Sequence, residues 1–231
     1  MARPRDGIAV AIDGPMGSGK STVAREVARR LGFSYVDTGA MYRAAAVAAL
    51  RRGVSPDDAP ALTRVAQEMR MVIKPAADGS TRVLVDGEDI TAALRSVEVN
   101  RVVSRVARVP GVREALGKLQ RALGASGNVV MEGRDIGSVI LPDAPVKVFL
   151  TASPDVRARR RQAELAAAGS GEMLPVDDVR RIIDEDDRAA TTREVAPLRI
   201  TTDATMIDST NLTVDQVVDQ IVALVRRARG L

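Results

Sequence analysis

Gly14-Pro-Met-Gly-Ser-Gly-Lys20-Ser21 combines residue types and spacing that amount to a chemistry. It follows the apolar run Ile8–Ile12 and precedes a helical pattern reaching about Leu31. That is the strand, tight loop and helix setting in which G-x-x-x-x-G-K-S cradles a nucleoside triphosphate. Gly14, Gly17 and Gly19 omit Cβ atoms where the backbone turns sharply and brings its N–H groups against an anion, with Pro15, Met16, Ser18 and Thr22 completing the ATP-binding loop. The helix N-terminus adds partial positive charge. Lys20 can reach the outer phosphates, and the Ser21 hydroxyl is a hard oxygen ligand for Mg²⁺. A chance glycine turn is the bland alternative, and the flanking strand and helix argue against it.

Three further clusters carry charge where a phosphate compound could use it. Asp37-Thr-Gly-Ala-Met-Tyr-Arg43 stands at the end of a second short strand, where open α/β sheets hold ligands, so Thr38, Tyr42 and Arg43 are candidate substrate contacts. The same residues would equally suit a helix cap and a core-packed ring. Gly133-Arg134-Asp135-Ile-Gly137 ends another apolar strand; Arg134 could neutralise a phosphate and Asp135 accept from an amino group, or the two could pair and close the loop. A helix opening at Ser153-Pro154 carries Arg157, Arg160 and Arg161 on one face, either a cover for a triphosphate or a solvated basic surface.

These groups need a scaffold, and the periodicity supplies an α/β one. Strands are predicted over 7–12, 34–37, 127–132, 146–151 and 205–208. Helices are predicted over 20–31, to about Arg52, over 59–70 and 97–109, from Pro110, from Pro154, over 176–189 and over 213–229. Residues 71–75 and 81–86 read as an antiparallel hairpin turning at Asp78-Gly79, a small element inserted into a parallel core. Ala166–Gly171 has the composition of a flexible lid. The expected division is one domain: a core of about 1–58, 110–165 and 195–231, an insertion of about 59–109 and a lid of about 166–194.

Composition excludes several chemistries. With no cysteine and no histidine there is no disulfide, thiol nucleophile, ordinary zinc site or imidazole base. Any proton acceptor is a carboxylate or water. No apolar segment approaches the ~18 residues of a membrane span, and Met1-Ala-Arg-Pro-Arg-Asp lacks the apolar region of a signal peptide, so a cytoplasmic location without a membrane partner is expected. Of 34 basic residues only Lys20, Lys74, Lys118 and Lys147 are lysine; arginine binds phosphate bidentately. Aromatics at 2% leave few stacking platforms, which argues against a nucleic-acid partner.

In order along the chain, IAVAIDGPMGSGKST, YVDTGAMYR, VLVDGEDIT, Ser104 to Glu114, EGRDIG, APVKVFLTASP, VAPLR and IDSTNLTVDQVV resemble the bacterial cytidylate kinases, P-loop kinases that phosphorylate CMP and dCMP. The resemblance spans nearly the whole chain. It implies a P-loop kinase core with a five-stranded parallel sheet flanked by helices, an inserted nucleoside monophosphate-binding subdomain with a small antiparallel sheet, and a short lid. It further implies a monomer acting on ATP, as its Mg²⁺ complex, and CMP or dCMP. Carried over by position, Thr38 and Tyr42 would line the CMP pocket, Arg43, Arg134 and Arg193 hold the acceptor phosphate, and Ser104, Arg113 and Asp135 read the base. Lys20, Arg134, Arg193 and Arg161 would be catalytic, with Arg157 and Arg160 on ATP. Where the family has Arg-Asp-x-x-Asp-x-x-Arg, this chain has Asp186 in place of the first arginine and Ala190 in place of the second aspartate. The rival readings are a kinase of similar build for another acceptor such as UMP, and a nucleotide switch, which would need an N-K-x-D motif that the chain lacks.

Overall fold

The computed structural model of the chain describes residues 7–75, 81–125, 127–167 and 174–230. The elements run β1 (Ala9–Asp13), α1 (Lys20–Leu31), β2 (Ser34–Asp37), α2 (Thr38–Arg51), α3 (Ala59–Glu68), β3 (Met71–Pro75), β4 (Thr81–Val85) and β5 (Glu88–Asp89). A 3₁₀ turn (Thr91–Arg95) leads to α4 (Val97–Arg108), α5 (Pro110–Gly124) and β6 (Val129–Gly133). A single π turn (Ile136–Ile140) precedes β7 (Val146–Thr151), α6 (Pro154–Ala167), α7 (Val176–Thr192), β8 (Thr205–Asp208) and α8 (Val214–Ala228). The chain divides into two compact units, Met1–Tyr35 with Gly124–Leu231, and Val36–Leu123.

The first unit is built on a five-stranded sheet in the order β2-β6-β1-β7-β8. β1 lies between β6 and β7 and runs parallel to both, and β8 runs parallel to β7. Val10, Ile12, Val130, Val148 and Leu150 are buried with Val23 and Val27 of α1 and Val218 and Ile221 of α8. Strands covered on both faces read as continuous apolar runs. The registers Asp13↔Gly133 and Asp13↔Phe149 bring the carboxyl ends of three adjacent strands side by side. The glycine-rich loop, the Arg134–Asp135 turn and the start of α6 leave the sheet there, the edge at which such sheets bind ligands.

The second unit is organised on α2, which packs against α3, α4 and β4. The Asp37 carboxylate accepts the Ala40 N–H at 2.9 Å and caps that helix. The run Ala44–Ala49 is buried, small side chains letting neighbouring backbones come close. β3, β4 and β5 form an antiparallel sheet.

Several boundaries differ from expectation for local reasons. β1 and β6 extend through Asp13 and Gly133 because their ladder continues there. The hairpin has a third strand, β5, whose Glu-Asp sequence shows no apolar alternation. The predicted Asp78-Gly79 turn lies outside the described residues, as does most of the predicted lid stretch, of which Ala166 and Ala167 end α6. α7 continues to Thr192, with the Thr191 and Thr192 hydroxyls donating to carbonyls one turn back.

Candidate active site

The glycine loop is held in shape by its own lysine and by two arginines. Lys20 is buried, and its ammonium donates to the Pro15 carbonyl at 2.7 Å. Gly17 has φ 74°, and a Cβ there would meet the Arg157 carbonyl at 2.6 Å; one on Gly14 would meet the Leu150 carbonyl at 2.0 Å. Only glycine fits either position without backbone movement. Arg157 donates to the Met16 carbonyl at 3.1 Å and pairs with Asp187, while Arg160 reaches the Ser18 carbonyl at 3.3 Å and both oxygens of Ser209. Both arginines therefore brace the loop through its carbonyls. Arg161 is paired with Glu164 at 3.1 Å. Ser21 stands half-buried and Thr22 exposed in the first turn of α1.

Beside the loop stands a cluster of carboxylates on strand ends. Asp13 is buried, and its two oxygens accept the Ile136 and Gly137 N–H groups at 2.8 and 2.7 Å, joining the end of β1 to the π turn. Burial pushes its carboxyl up to about 6, against the lowering effect of those two N–H groups. Glu132, also buried, accepts the Tyr35 hydroxyl at 3.0 Å. Burial, reinforced by the Arg134 guanidinium, draws the Lys20 ammonium down to about 7, while Glu132, Asp186 and Asp13 oppose that shift.

The Arg134–Asp135 pair does not close on itself. Arg134 pairs with Asp186 at 3.1 Å, and Asp135, buried, pairs with Arg193 at 3.0 Å. Both partners come from α7 and its end. The neighbouring Asp187 accepts the Met16 N–H at 3.0 Å, so α7 reaches the glycine loop as well. Arg193 also donates through Nε to the carbonyl of Ala196, a residue in the left-handed region at φ 54°. The Ala190 carbonyl accepts the Leu198 N–H at 2.9 Å, and Arg188 is exposed.

The second unit gathers its own set. Thr38 is buried, Arg43 donates to Asn100 at 2.9 Å, and the Arg113 guanidinium lies 5.5 Å from the centre of the Tyr42 ring. Arg113 also donates to the Ala107 carbonyl at 3.3 Å, and Ser104 is half-buried on α4. Thr38, Tyr42 and Arg43 thus belong to α2, Ser104 to α4 and Arg113 to α5. In the first unit the structure brings together the loop with Arg157 and Arg160, Arg134 with Lys20, and Asp135 with Arg193. Sequence reasoning missed Asp13, Glu132, Asp187 and Ser209. Two acidic residues closing otherwise apolar strands, at Asp13 and Glu132, were the available signal.

A likeness in fold to a crystal structure of an uncharacterized protein from Eubacterium ventriosum covers 96% of this chain and 99% of that one, with a TM-score of 0.52 and 14% identity. Sequence relatives are far nearer. A cytidylate kinase from Pelotomaculum thermopropionicum is 53% identical over 95% of this chain and 96% of its own. A bifunctional pantoate ligase/cytidylate kinase from Synechococcus sp. is 49% identical over 94% of this chain, which spans 40% of that longer protein. The family model for cytidylate kinase matches residues 10–227. With a glycine loop, a buried lysine and an Arg-Asp turn on adjacent strand ends, and with these relatives, the chain belongs to the cytidylate kinase family.

Proposed function

We propose that this protein is an ATP-dependent cytidylate kinase, moving the γ-phosphoryl group of ATP to the 5′-phosphate of CMP or dCMP to give ADP and CDP or dCDP. The observation that carries the reading is buried Lys20 closing the glycine loop beside the Arg134–Asp135 turn, in a chain of this family. An acceptor phosphate oxygen bonds to the γ-phosphorus as the bond to the β–γ bridging oxygen breaks. The acceptor is already an oxyanion near neutral pH, so no general base is required, in keeping with a chain without histidine. The protein's work is positioning and charge neutralisation.

Lys20 and the loop N–H groups hold the β- and γ-phosphates, and Arg134 and Arg193 offset the acceptor's charge. Arg157 and Arg160 keep the loop in shape through its carbonyls, and Arg161 is the lid-side arginine assigned to the migrating group. Thr38, Tyr42 and Arg43 are assigned to holding CMP, and Ser104, Arg113 and Asp135 to reading cytosine, with Asp135 accepting its N4 amino group. Uracil, with a carbonyl at that position, would face the Asp135 carboxylate with no proton between them. Residues of about 59–109 are assigned to the monophosphate-binding insertion and 166–194 to the lid.

Among the described residues no group of three or more acidic, histidine or cysteine side chains forms a metal cage. The Ser21 hydroxyl in the first turn of α1 is a hard oxygen of the kind that fits Mg²⁺ arriving with the nucleotide, an ion that keeps waters and phosphate oxygens as its other ligands. Ser21 would hold it, and the ion neutralises charge on the transferring phosphates. The protein is further proposed to act as a cytoplasmic monomer that binds no nucleic acid; no described helix is long and apolar enough to cross a membrane.

The test is a phosphotransfer assay with ATP and Mg²⁺ against CMP, dCMP, UMP, dTMP, AMP and GMP side by side, following ADP release. Turnover confined to cytosine nucleotides is expected, and Asp135→Ala should narrow the gap between CMP and UMP. Equal or faster turnover of another acceptor would overturn the base-reading assignment while leaving the donor loop untouched.

A further inference from the structure

α7 brings two consecutive carboxylates to the phosphate cradle. Asp187 accepts the Met16 N–H and pairs with Arg157, which ties the helix to the donor loop. Asp186 lies 3.1 Å from the Arg134 Nη2, each side chain about one quarter exposed, 25% and 24% respectively. The charges bearing on Lys20 include Arg134, Glu132, Asp186 and Asp13, and Asp135 bears in turn on Asp13. Without a phosphate, two cations stand close together, and Asp186 is the carboxylate in direct contact with the one assigned to the acceptor.

We propose that Asp186 is a built-in competitor for the acceptor's phosphate, occupying Arg134 until CMP arrives and thereby setting the affinity for the monophosphate. The proposal rests on the assignment of Arg134 to that phosphate. A phosphate dianion carries more charge than a carboxylate and matches the guanidinium fork, so it displaces Asp186 rather than sharing the same N–H. Asp187 continues to hold the helix to the loop when Asp186 gives up Arg134. An anion left within reach of the bound phosphate opposes it, so the charge at position 186 weakens CMP binding both before and after exchange.

Asp186→Asn keeps the size and an accepting oxygen while removing the charge. Calorimetric titration of CMP into the nucleotide-free full chain should give a Kd about two- to fivefold lower than wild type, the range expected of a partly exposed ion pair. The Kd for cytidine, which lacks the phosphate, should not move, and Asp186→Glu should bind CMP about as wild type does. In an Arg134→Ala background the Asn substitution should tighten CMP binding less than it does in the wild-type background, because only the repulsion of the bound phosphate remains. Unchanged or weaker CMP binding by Asp186→Asn, or equal tightening for CMP and cytidine, would overturn the competitor role. CMP affinity undiminished by Arg134→Ala alone would overturn the acceptor assignment itself. Should Asp186→Asn not fold, Asp186→Ser carries the same expectations.

Discussion

An ammonium buried against a carbonyl oxygen and beside a guanidinium is held there against its preference for water, and Lys20 is in that position. On the proposed reading its charge serves a triphosphate, and without one the buried ammonium is a burden. Lys20→Met should therefore abolish most turnover and yet raise stability, by about 1–3 kcal/mol near neutral pH, read as a higher Tm. The sign of the pH dependence follows from the lowered value: the unfolded chain keeps the proton to about 10.4 and the folded chain only to about 7. Wild-type stability should rise relative to Lys20→Met between about pH 7 and 10, and the gap should be widest below pH 7. A variant less stable than wild type across that range would show that Lys20 is a net structural support. At this scale the shape of the glycine loop was legible because glycine spacing dictates backbone geometry. Asp13 and Asp187 were not, since their roles depend on groups 123 and 171 residues away in sequence.

At the scale of elements, the joint that matters is between β1 and the π turn. Asp13 accepts two N–H groups at once, fixing where the chain emerges after Arg134–Asp135. Asparagine offers only one accepting oxygen and turns an NH₂ toward the other N–H. Asp13→Asn should cost about 1–3 kcal/mol, measured as a lower denaturant midpoint at unchanged m-value. The group's carboxyl is raised to about 6, so its folded form holds a proton that the unfolded chain releases near pH 4. Its contribution to wild-type stability should fall as pH rises from about 4 to 6 and stay level above, a slope that Asp13→Asn should lack. The central strands were readable from apolar runs that need no context. β5 and the π turn were not: one is two charged residues paired to a neighbour, the other a deviation stabilised by a distant carboxylate.

For the molecule as a whole, part of the abundant arginine is paired with carboxylates on its own surface. Arg30 pairs with Glu26, Asp215 and Asp219, Arg52 with Glu68 and Asp86, Arg82 with Asp89 and Arg105 with Asp57. Such exposed pairs add little stability, about 0–1 kcal/mol each, but leave fewer free cations for a polyanion. A labelled single-stranded RNA should accordingly show no binding by anisotropy at about 0.15 M salt; retention at that salt would reopen a nucleic-acid role. The α/β class and the order of the principal strands and helices were legible in the sequence. The division at Tyr35 and Leu123 was not, because it is set by which helices pack together rather than by any break in composition. At Ala196 the chain carries a fragility of another kind. Its left-handed backbone suits glycine or asparagine and is held by alanine at a cost, whereas a branched residue would push the carbonyl away from the Arg193 Nε. The arginine would then lose its aim with every charged residue of the site still in place, so drift at one small, uncharged residue inside the VAPLR stretch is enough to disarm the protein.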